Sequence, residues 1–218
     1  MLNRIVRLGL DEPATEAQLD AGMAALAGTR FSVTLPSGAH PAELTGWLRA
    51  RGFEPGWGWR QFRRSTERAP RVASDLDLVE IGLERGADFA QVLCSAYGLP
   101  RAAKAWVAPT PGLAGWTCWL ALAEGRPAAA AALFVAGGAG YLGLAGTLPE
   151  RRGRGAQSLL LAARIRRAGE LGCEEVFAET GDRRADRPSS SYRNLLRAGF
   201  EELHVVPNWL GPPPVTAR

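Results

Sequence analysis

Apolar residues along the chain recur either at helical spacing or in short continuous runs. In residues 13–27 and 41–51 the apolar side chains return every three or four positions, which predicts two amphipathic helices. Residues 30–35 and 58–63 are predicted to be strands. The N-terminal part of the chain therefore has the predicted order helix, strand, helix, strand.

A polar, proline-containing stretch at 65–75 has no apolar period and is predicted to be a linker. The elements predicted after it are a strand from 77, helices at 89–97 and 102–107, a hairpin of 116–123 and 127–135, a strand over 141–147, a helix at 157–172, a strand at 175–179, a helix at 191–198 and a last strand from 200. We expect an N-terminal domain over 1–70, a second domain over 74–210, and a frayed tail at 211–218.

The ends of two predicted helices have nearly the same sequence. WLRARGFE at 47–54 resembles LLRAGFE at 195–201, and each copy closes a helix with glycine and starts a strand with phenylalanine. The same order of helix, strand, helix and strand surrounds both copies. Two interpretations stay open: residues 13–64 are a shortened copy of the C-terminal half, or the similarity is one that many helix-to-strand junctions share.

Composition narrows the class of protein. The 218 residues are 46% hydrophobic, which is enough for a buried core and excludes a disordered chain. The three cysteines lie far apart without a CxxC pair, so they predict neither a disulfide framework nor a zinc ribbon. No stretch has the length of a signal peptide or of a membrane span. We therefore expect a reduced, cytoplasmic protein without a membrane partner.

The net charge of +4 raises the question of nucleic-acid binding. Lys104 is the single lysine, and the arginines are scattered among acidic residues through most of the chain. A nucleic-acid groove needs a clustered basic surface. The distribution favours solvated arginines and no nucleic-acid partner.

Two glycine-rich segments compete as nucleotide sites. Gly138, Gly140 and Gly143 spell G-x-G-x-x-G after a strand, but no helix follows them, and a dinucleotide fingerprint must open into a helix. These glycines are predicted to form a hairpin turn and a flat strand instead. The second segment, TLPERRGRGAQS at 147–158, runs directly into an amphipathic helix.

The second segment has the context of an anion site. Free amides at a helix start attract phosphate, and glycines allow a close approach to the backbone. Arg152 and Arg154 add positive charge, and the absence of a lysine followed by serine or threonine excludes a P-loop. An ordinary glycine loop before a surface helix remains the alternative on these residues alone.

The run LPERRGRGAQSLLL resembles the acetyl-CoA pyrophosphate motif of the GNAT acetyltransferase superfamily, with the pattern Q/R-x-x-G-x-G/A beginning at Arg152. Gln157 stands at the last motif position, where the family has glycine or alanine. The resemblance covers roughly residues 75–210. It implies an α+β fold with a mixed, mostly antiparallel central sheet flanked by helices, and acetyl-CoA as co-substrate between two strands that splay apart. We therefore expect residues 74–210 to be the catalytic domain of this fold and residues 1–70 to be a partial repeat of it. No metal is implied.

The resemblance also implies roles for particular residues. Ala145, Gly146 and Thr147 would bind the pantetheine arm, and one of their amides would face the thioester carbonyl. The pyrophosphate would be held by the motif residues Arg152, Gly153, Arg154, Gly155, Ala156, Gln157 and Ser158. An amine would then attack the thioester directly, with proximity supplying much of the acceleration.

The proton donor expected from the resemblance is missing. The family often has a tyrosine on the helix before the GF pair, and the matching position here is Leu195. Tyr192, one helical turn earlier, is the candidate substitute, although a half-buried aromatic residue without a catalytic role is the alternative. Glu179 is the candidate base for the acceptor ammonium, with an ordinary surface role as its alternative.

The resemblance implies that the acceptor is a primary amine of a small molecule or peptide, and the sequence does not identify it further. Tyr97, Trp106 and Trp116 fall where the family builds its acceptor pocket, although aromatic residues also serve as core. A monomer and a homodimer are both compatible with the sequence. A catalytically degenerate acetyl-CoA-binding regulator is the alternative to an N-acetyltransferase.

Because the family's last strand has no counterpart after Leu210, we expect the strand at 58–63 to occupy or extend that vacant edge of the sheet.

Overall fold

The computed structural model describes residues 3–36, 38, 39, 41–182 and 189–213. Its described residues form six α-helices: α1 Glu16–Ala25, α2 Leu44–Ala50, α3 Gly86–Tyr97, α4 Lys104–Val107, α5 Ala156–Glu170 and α6 Ser190–Arg197. They also form twelve strands: β1 Arg4–Ile5, β2 Ser32–Thr34, β3 Glu54–Pro55, β4 Gly58–Ser65, β5 Asp77–Ile81, β6 Trp116–Ala123, β7 Arg126–Ala136, β8 Ala139–Tyr141, β9 Gly146–Thr147, β10 Glu175–Asp182, β11 Glu201–Val206 and β12 Asn208–Leu210.

The chain divides into two compact units. The first takes its described residues from 1–61, 180–189 and 204–218, and the second from 62–179 and 190–203. Residues 214–218 of the expected frayed tail lie outside the described residues. The domain limits 1–70 and 74–210 stay a prediction.

The first unit has a small sheet of its own, with strand order β1-β2-β12-β3. β1 and β2 are parallel, whereas β12 is antiparallel to both β2 and β3. The core of this unit includes Leu19 from α1, Leu48 from α2, Phe53 and Trp209. The predicted order of helix, strand, helix and strand is present, but the short strands β1, β3 and β12 were not predicted.

The second unit is built on a larger mixed sheet. Its strand order is β11-β4-β10-β8-β7-β6-β5, and β9 pairs with β7 beside this row. β5, β6, β7 and β8 are antiparallel neighbours, and β8 is parallel to β10. The α+β class with a mixed sheet and flanking helices is confirmed.

β4 joins the larger sheet, but not at an edge. The strand lies between β11 and β10 in the strand order, and its residues 62–65 belong to the second unit. Within that unit Arg63 pairs with Glu201 of β11 at 2.6 Å and with Glu175 of β10 at 3.4 Å. The prediction of an edge position was therefore wrong, because β11 takes the outermost place.

The central strands of the second unit carry small residues that let α5 pack closely. Residues 128–132 of β7 are all buried alanines. Leu160, Ile165 and Ala168 of α5 belong to the same hydrophobic cluster as Ala129 and Ala131. This packing brings the N-terminus of α5 to the sheet where β9 ends.

Both helices that end in GF close with the same capping motif. The amide of Phe53 donates to the carbonyl of Leu48 at 3.0 Å, and the amide of Phe200 donates to the carbonyl of Leu195 at 3.1 Å. The intervening glycines, Gly52 and Gly199, have φ of 76° and 81°. This is the Schellman arrangement, in which the residue after the glycine packs against the third residue from the helix end. The sequence similarity thus corresponds to a shared local structure.

No helix among the described residues is long and apolar enough to cross a bilayer.

The buried thiol of Cys118 on β6 predicts a loss of stability at high pH. Burial raises the pKa of Cys118 from 9.0 to about 12. Above pH 9 the unfolded thiol ionises while the folded one keeps its proton, so the stabilisation is complete below pH 9 and is lost toward pH 12. We expect the free energy of unfolding of the wild type, measured in urea, to fall by up to about 1.4 kcal/mol per pH unit because of this thiol.

Cys118→Ala tests this assignment, since alanine cannot ionise. The free energy of unfolding of the variant should differ from that of the wild type by a constant amount below pH 9. Between pH 9 and 11 it should fall less steeply than that of the wild type. Equal slopes in wild type and variant would refute the role of Cys118.

Candidate functional site

The larger sheet has a gap between β9 and β10, because β10 pairs with β8 and β9 pairs with β7. β8 is parallel to β10 from Ala139–Glu175 to Tyr141–Phe177, and the amide of Leu142 then donates to the carbonyl of Phe177 at 2.8 Å. β9, in contrast, is paired with β7 through Ala129–Thr147 and Ala130–Gly146. The segment 141–147 was predicted as one strand, and that prediction was wrong because the strand breaks between β8 and β9.

A buried arginine holds the break. Nη1 of Arg164 on α5 donates to the carbonyls of Ala132 and Gly143, each at 3.3 Å, and its Nε donates to the carbonyl of Leu160. The next residue, Leu144, has a φ of 44°, which is unusual for a residue with a side chain. Burial lowers the pKa of Arg164 to about 10. The buried guanidinium thus links Gly143, in the segment between β8 and β9, to β7 at the point where β9 turns away from β10.

β9 borders a cavity of about 600 Å³ within the second unit. Nine of the residues predicted to bind the co-substrate line it: Ala145, Gly146, Thr147, Arg152, Gly153, Gly155, Ala156, Gln157 and Ser158. Tyr97, predicted for the acceptor, also lines it. The tertiary structure therefore brings the strand end and the glycine loop to one place.

The N-terminus of α5 opens onto this cavity. Gly155 is the N-cap with a φ of 76°, and no side chain caps the helix. The first helical bond runs from the amide of Leu159 to the carbonyl of Gly155 at 3.1 Å. The amides of residues 156–158 precede it and have no intrahelical acceptor. Together with the helix dipole, these free amides favour an anion at this end of the helix.

Charged side chains reinforce the preference for an anion. Arg151, Arg152 and Arg197 line the cavity, and no carboxylate is among its described lining residues. The side chain of Gln157 donates to Thr147 Oγ1 at 3.1 Å and links the helix start to β9. The cavity is consequently cationic along one wall and framed by backbone amides.

Arg154, also predicted to bind the co-substrate, is not among the lining residues. Its guanidinium pairs with the carboxylate of Asp75. The hydrogen bond with this partner lowers the pKa of Asp75 and raises that of Arg154. The ion pair attaches the glycine loop to the segment before β5.

Tyr97 reaches the cavity because α3 packs tightly on β9. A Cβ placed on Gly146 would lie 2.6 Å from Cβ of Ala96, so the strand and the helix touch through a glycine. Tyr97 is the last residue of α3, and its hydroxyl donates to the carbonyl of Ala145 at 2.9 Å. Burial of the hydroxyl raises the pKa of Tyr97, the hydrogen bond and Arg164 lower it, and the charge of Glu179 raises it.

The other predicted side chains lie in different surroundings. The hydroxyl of Tyr192 donates to Glu202 at 3.0 Å, and its ring packs edge-on against Phe62. Trp106 is 75% exposed on α4, and Trp116 packs against Phe134. Glu179 is partly buried on β10. None of these four lines the cavity, and their roles stay predictions.

Sequence reasoning missed six lining residues: Ala96, Arg151, Ser190, Ser191, Asn194 and Arg197. Three of them, Ser190, Asn194 and Arg197, are spaced by four and three residues and so share one face of α6. That polar face lies opposite the buried Leu195, so the periodicity of α6 was the signal that could have found it.

Residues 91–190 match the model of the acetyltransferase (GNAT) family. The chain contains a GNAT-family domain. The break between β9 and β10, the glycine loop and the start of α5 all lie within this GNAT segment. No curated protein matches the sequence.

Solved structures support the same fold. A GCN5-related N-acetyltransferase from Kribbella flavida is 22% identical, with a TM-score of 0.68 over 96% of this chain and 81% of that chain. A GCN5-related N-acetyltransferase from Sphaerobacter thermophilus is 18% identical, with a TM-score of 0.61 over 90% and 64%. A tandem GNAT protein from the clavulanic acid biosynthesis pathway is 17% identical, with a TM-score of 0.59 over 90% and 69%. At these identities the likeness concerns the fold.

Proposed function

We propose that the protein is an N-acetyltransferase that moves the acetyl group of acetyl-CoA to a primary amine of a small molecule or peptide. The observation that carries the proposal is the uncapped N-terminus of α5, which opens onto a cavity lined by Arg151, Arg152 and Arg197. A pyrophosphate needs amide donors and positive charge, and both are present there.

The cavity meets further requirements of acetyl-CoA. Its volume of about 600 Å³ suits a large ligand. A Cβ on Gly153 or Gly155 would meet no atom within 4 Å, so neighbouring atoms do not cover the loop in these directions. The co-substrate would supply an activated acetyl thioester.

The edge of β9 supplies a hydrogen-bond donor for the thioester. The amide of Leu148 donates to Ala128 of β7, and backbone amides alternate in direction along a strand. The amide of Thr147 therefore points away from β7, toward the gap. We assign this amide to the acetyl carbonyl, where it would stabilise developing negative charge. Such a donor contributes about 10²- to 10³-fold in rate.

We assign Glu179 as the group that takes the proton from the acceptor ammonium. It stands on β10 next to the gap, and its charge reaches Tyr97, which lines the cavity. A carboxylate at this position would also attract a cationic amine. The amine would then attack with the acetyl group already oriented by β9.

A second candidate function rests on Leu195. The position of the family tyrosine is occupied by a buried leucine that is 5% exposed. A GNAT domain without a proton donor could bind acetyl-CoA as a regulator and transfer nothing. Binding and turnover must therefore be measured separately.

Isothermal titration calorimetry with acetyl-CoA tests the binding half of the proposal. Arg197→Ala should weaken binding about 10- to 100-fold, because a charge-assisted hydrogen bond to phosphate is lost. Arg30→Ala, at an exposed arginine of the first unit, is the matched control and should bind like the wild type. Absence of heat with the wild type would refute the proposal.

Acetyl-CoA consumption across a panel of amines tests the second half. The panel comprises polyamines, aminoglycosides, amino acids and peptides with free N-termini. Consumption that depends on one class identifies the acceptor. Tight binding without consumption on any class supports the regulator instead.

A further inference from the structure

The proton donor of the reaction does not come from position 195. Leu195 is the third residue from the end of α6, and the capping motif packs it against Phe200 in the hydrophobic core. The equivalent residue of α2, Leu48, is also fully buried. The inward direction of this position is thus a property of the capping motif.

The chain has three tyrosines, and each is described. Tyr192 is engaged with Glu202 and Phe62 outside the cavity lining. Tyr141 lies on β8, opposite Phe134 and Phe177 in the sheet, and is also outside the lining. Tyr97 is the tyrosine that lines the cavity.

The position of Tyr97 is well defined. Its hydroxyl is held 2.9 Å from the carbonyl of Ala145, two residues before the amide that points into the gap. The contact of Gly146 with Ala96 fixes the end of α3 against β9. The residue as a whole is 51% exposed, so one side of the ring reaches solvent.

We propose that Tyr97 is the catalytic acid that gives its hydroxyl proton to the leaving thiolate. This inference rests on the proposed acetyl transfer and assigns its missing donor to α3 instead of α6. The hydroxyl hydrogen can rotate about the C–O bond, so the O–H bond can turn from Ala145 toward sulfur in the gap.

The step balances without any further reactant. The amine nitrogen bonds to the acetyl carbon, the carbon–sulfur bond breaks with its electron pair on sulfur, and Tyr97 Oη gives that sulfur its proton. Glu179 passes the first proton of the acceptor ammonium to solvent before the attack. The second proton, which nitrogen loses as the amide forms, is taken by Glu179 and returns to the phenolate through water at the exposed side of the ring, so one proton in all is released to solvent. The products are the N-acetyl amine and CoA thiol.

The chemistry of the phenol suits this task. A tyrosine ionises at about pH 10 and a thiol at about pH 8.5, so the two groups are closer in acidity than a thiol and a serine hydroxyl. Burial raises the pKa of Tyr97 further, which keeps the hydroxyl protonated at neutral pH.

The test compares the binding of CoA with that of desulfo-CoA, which lacks the sulfur, by calorimetry at pH 7 and pH 10. At pH 10 CoA presents mainly a thiolate, because thiols ionise at about pH 8.5. The variants Tyr97→Phe, Tyr192→Phe and Tyr141→Phe each lose one hydroxyl. Melting temperatures check folding, and we expect a shift of about 2–4 °C at most for Tyr97→Phe.

We expect Tyr97→Phe to lower the preference for CoA over desulfo-CoA by about tenfold at pH 10 and by much less at pH 7. Tyr141→Phe, the control, should keep the wild-type preference. With an identified acceptor, Tyr97→Phe should lower kcat by about 10²- to 10⁴-fold while KM for acetyl-CoA changes little.

The outcomes separate the two proposals. A wild type that binds neither ligand contradicts the proposed function itself. A wild type that binds both, with the same preference in Tyr97→Phe, overturns the assignment of Tyr97. Loss of the preference in Tyr192→Phe alone assigns the role to Tyr192 instead.

Discussion

Gly155→Trp should abolish measurable acetyl-CoA binding and leave the protein folded. Gly155 is the N-cap of α5 and lines the cavity, and a Cβ there meets no atom within 4 Å. An indole would therefore extend into the open space beside the amides of residues 156–158 and exclude a phosphate. We expect binding to weaken more than about 100-fold, which corresponds to a loss of about 3 kcal/mol.

Backbone strain has to be separated from this steric effect. A residue with a side chain at a φ of 76° costs about 1–2 kcal/mol of stability. Gly172→Trp is the matched control, because Gly172 follows the other end of α5 with a φ of 81° and an equally open Cβ direction. It should lose similar stability in urea unfolding and bind acetyl-CoA normally. Equal binding by both variants would show that the phosphates do not lie at the start of α5.

Gly146 substitutions should cause a large loss of stability in the second unit. A Cβ at this position lies 2.6 Å from Cβ of Ala96 and 3.3 Å from Cδ2 of Leu93, so α3 must move away from β9. We expect Gly146→Ala to lower the free energy of unfolding by about 2 kcal/mol and Gly146→Val by about 3 kcal/mol or more. The displaced helix should also weaken acetyl-CoA binding, because Tyr97 and Ala145 form one wall of the cavity.

A double-mutant cycle isolates the contact that causes this loss. Ala96→Gly removes the Cβ that the new alanine would meet, at a cost of about 1 kcal/mol for glycine in a helix. The double variant should be no less stable than Ala96→Gly alone, with a coupling energy of at least about 1 kcal/mol. Additive effects in urea unfolding would mean that α3 and β9 do not meet through these two atoms.

Much of this architecture was predictable because its signals are local. The helical period of α5 and the glycines before it are consecutive in the sequence, so an anion site at the start of this helix could be proposed directly. The two GF helix ends were equally visible, since a capping motif depends on a few neighbouring residues.

The parts that could not be predicted depend on contacts between distant segments. Arg164 looks like an ordinary surface residue of an arginine-rich helix, yet it is buried and bonded to two carbonyls that are 32 and 21 positions away. Arg154 stands inside the glycine motif, but its partner is Asp75. The sequence near β8 gives no signal for the break after this strand. The sequence near Arg154 likewise gives no signal that its side chain lies outside the cavity lining.

Order along the chain was enough to define the helices, the main strands and the amide cluster before α5, because period, capping and glycine conformation act over a handful of positions. Three-dimensional packing alone selected which tyrosine reaches the gap, which arginines line it and where β4 enters the sheet. The reason is that burial and electrostatic pairing depend on distances in space, and these are set only when α3, α5 and α6 close around the sheet.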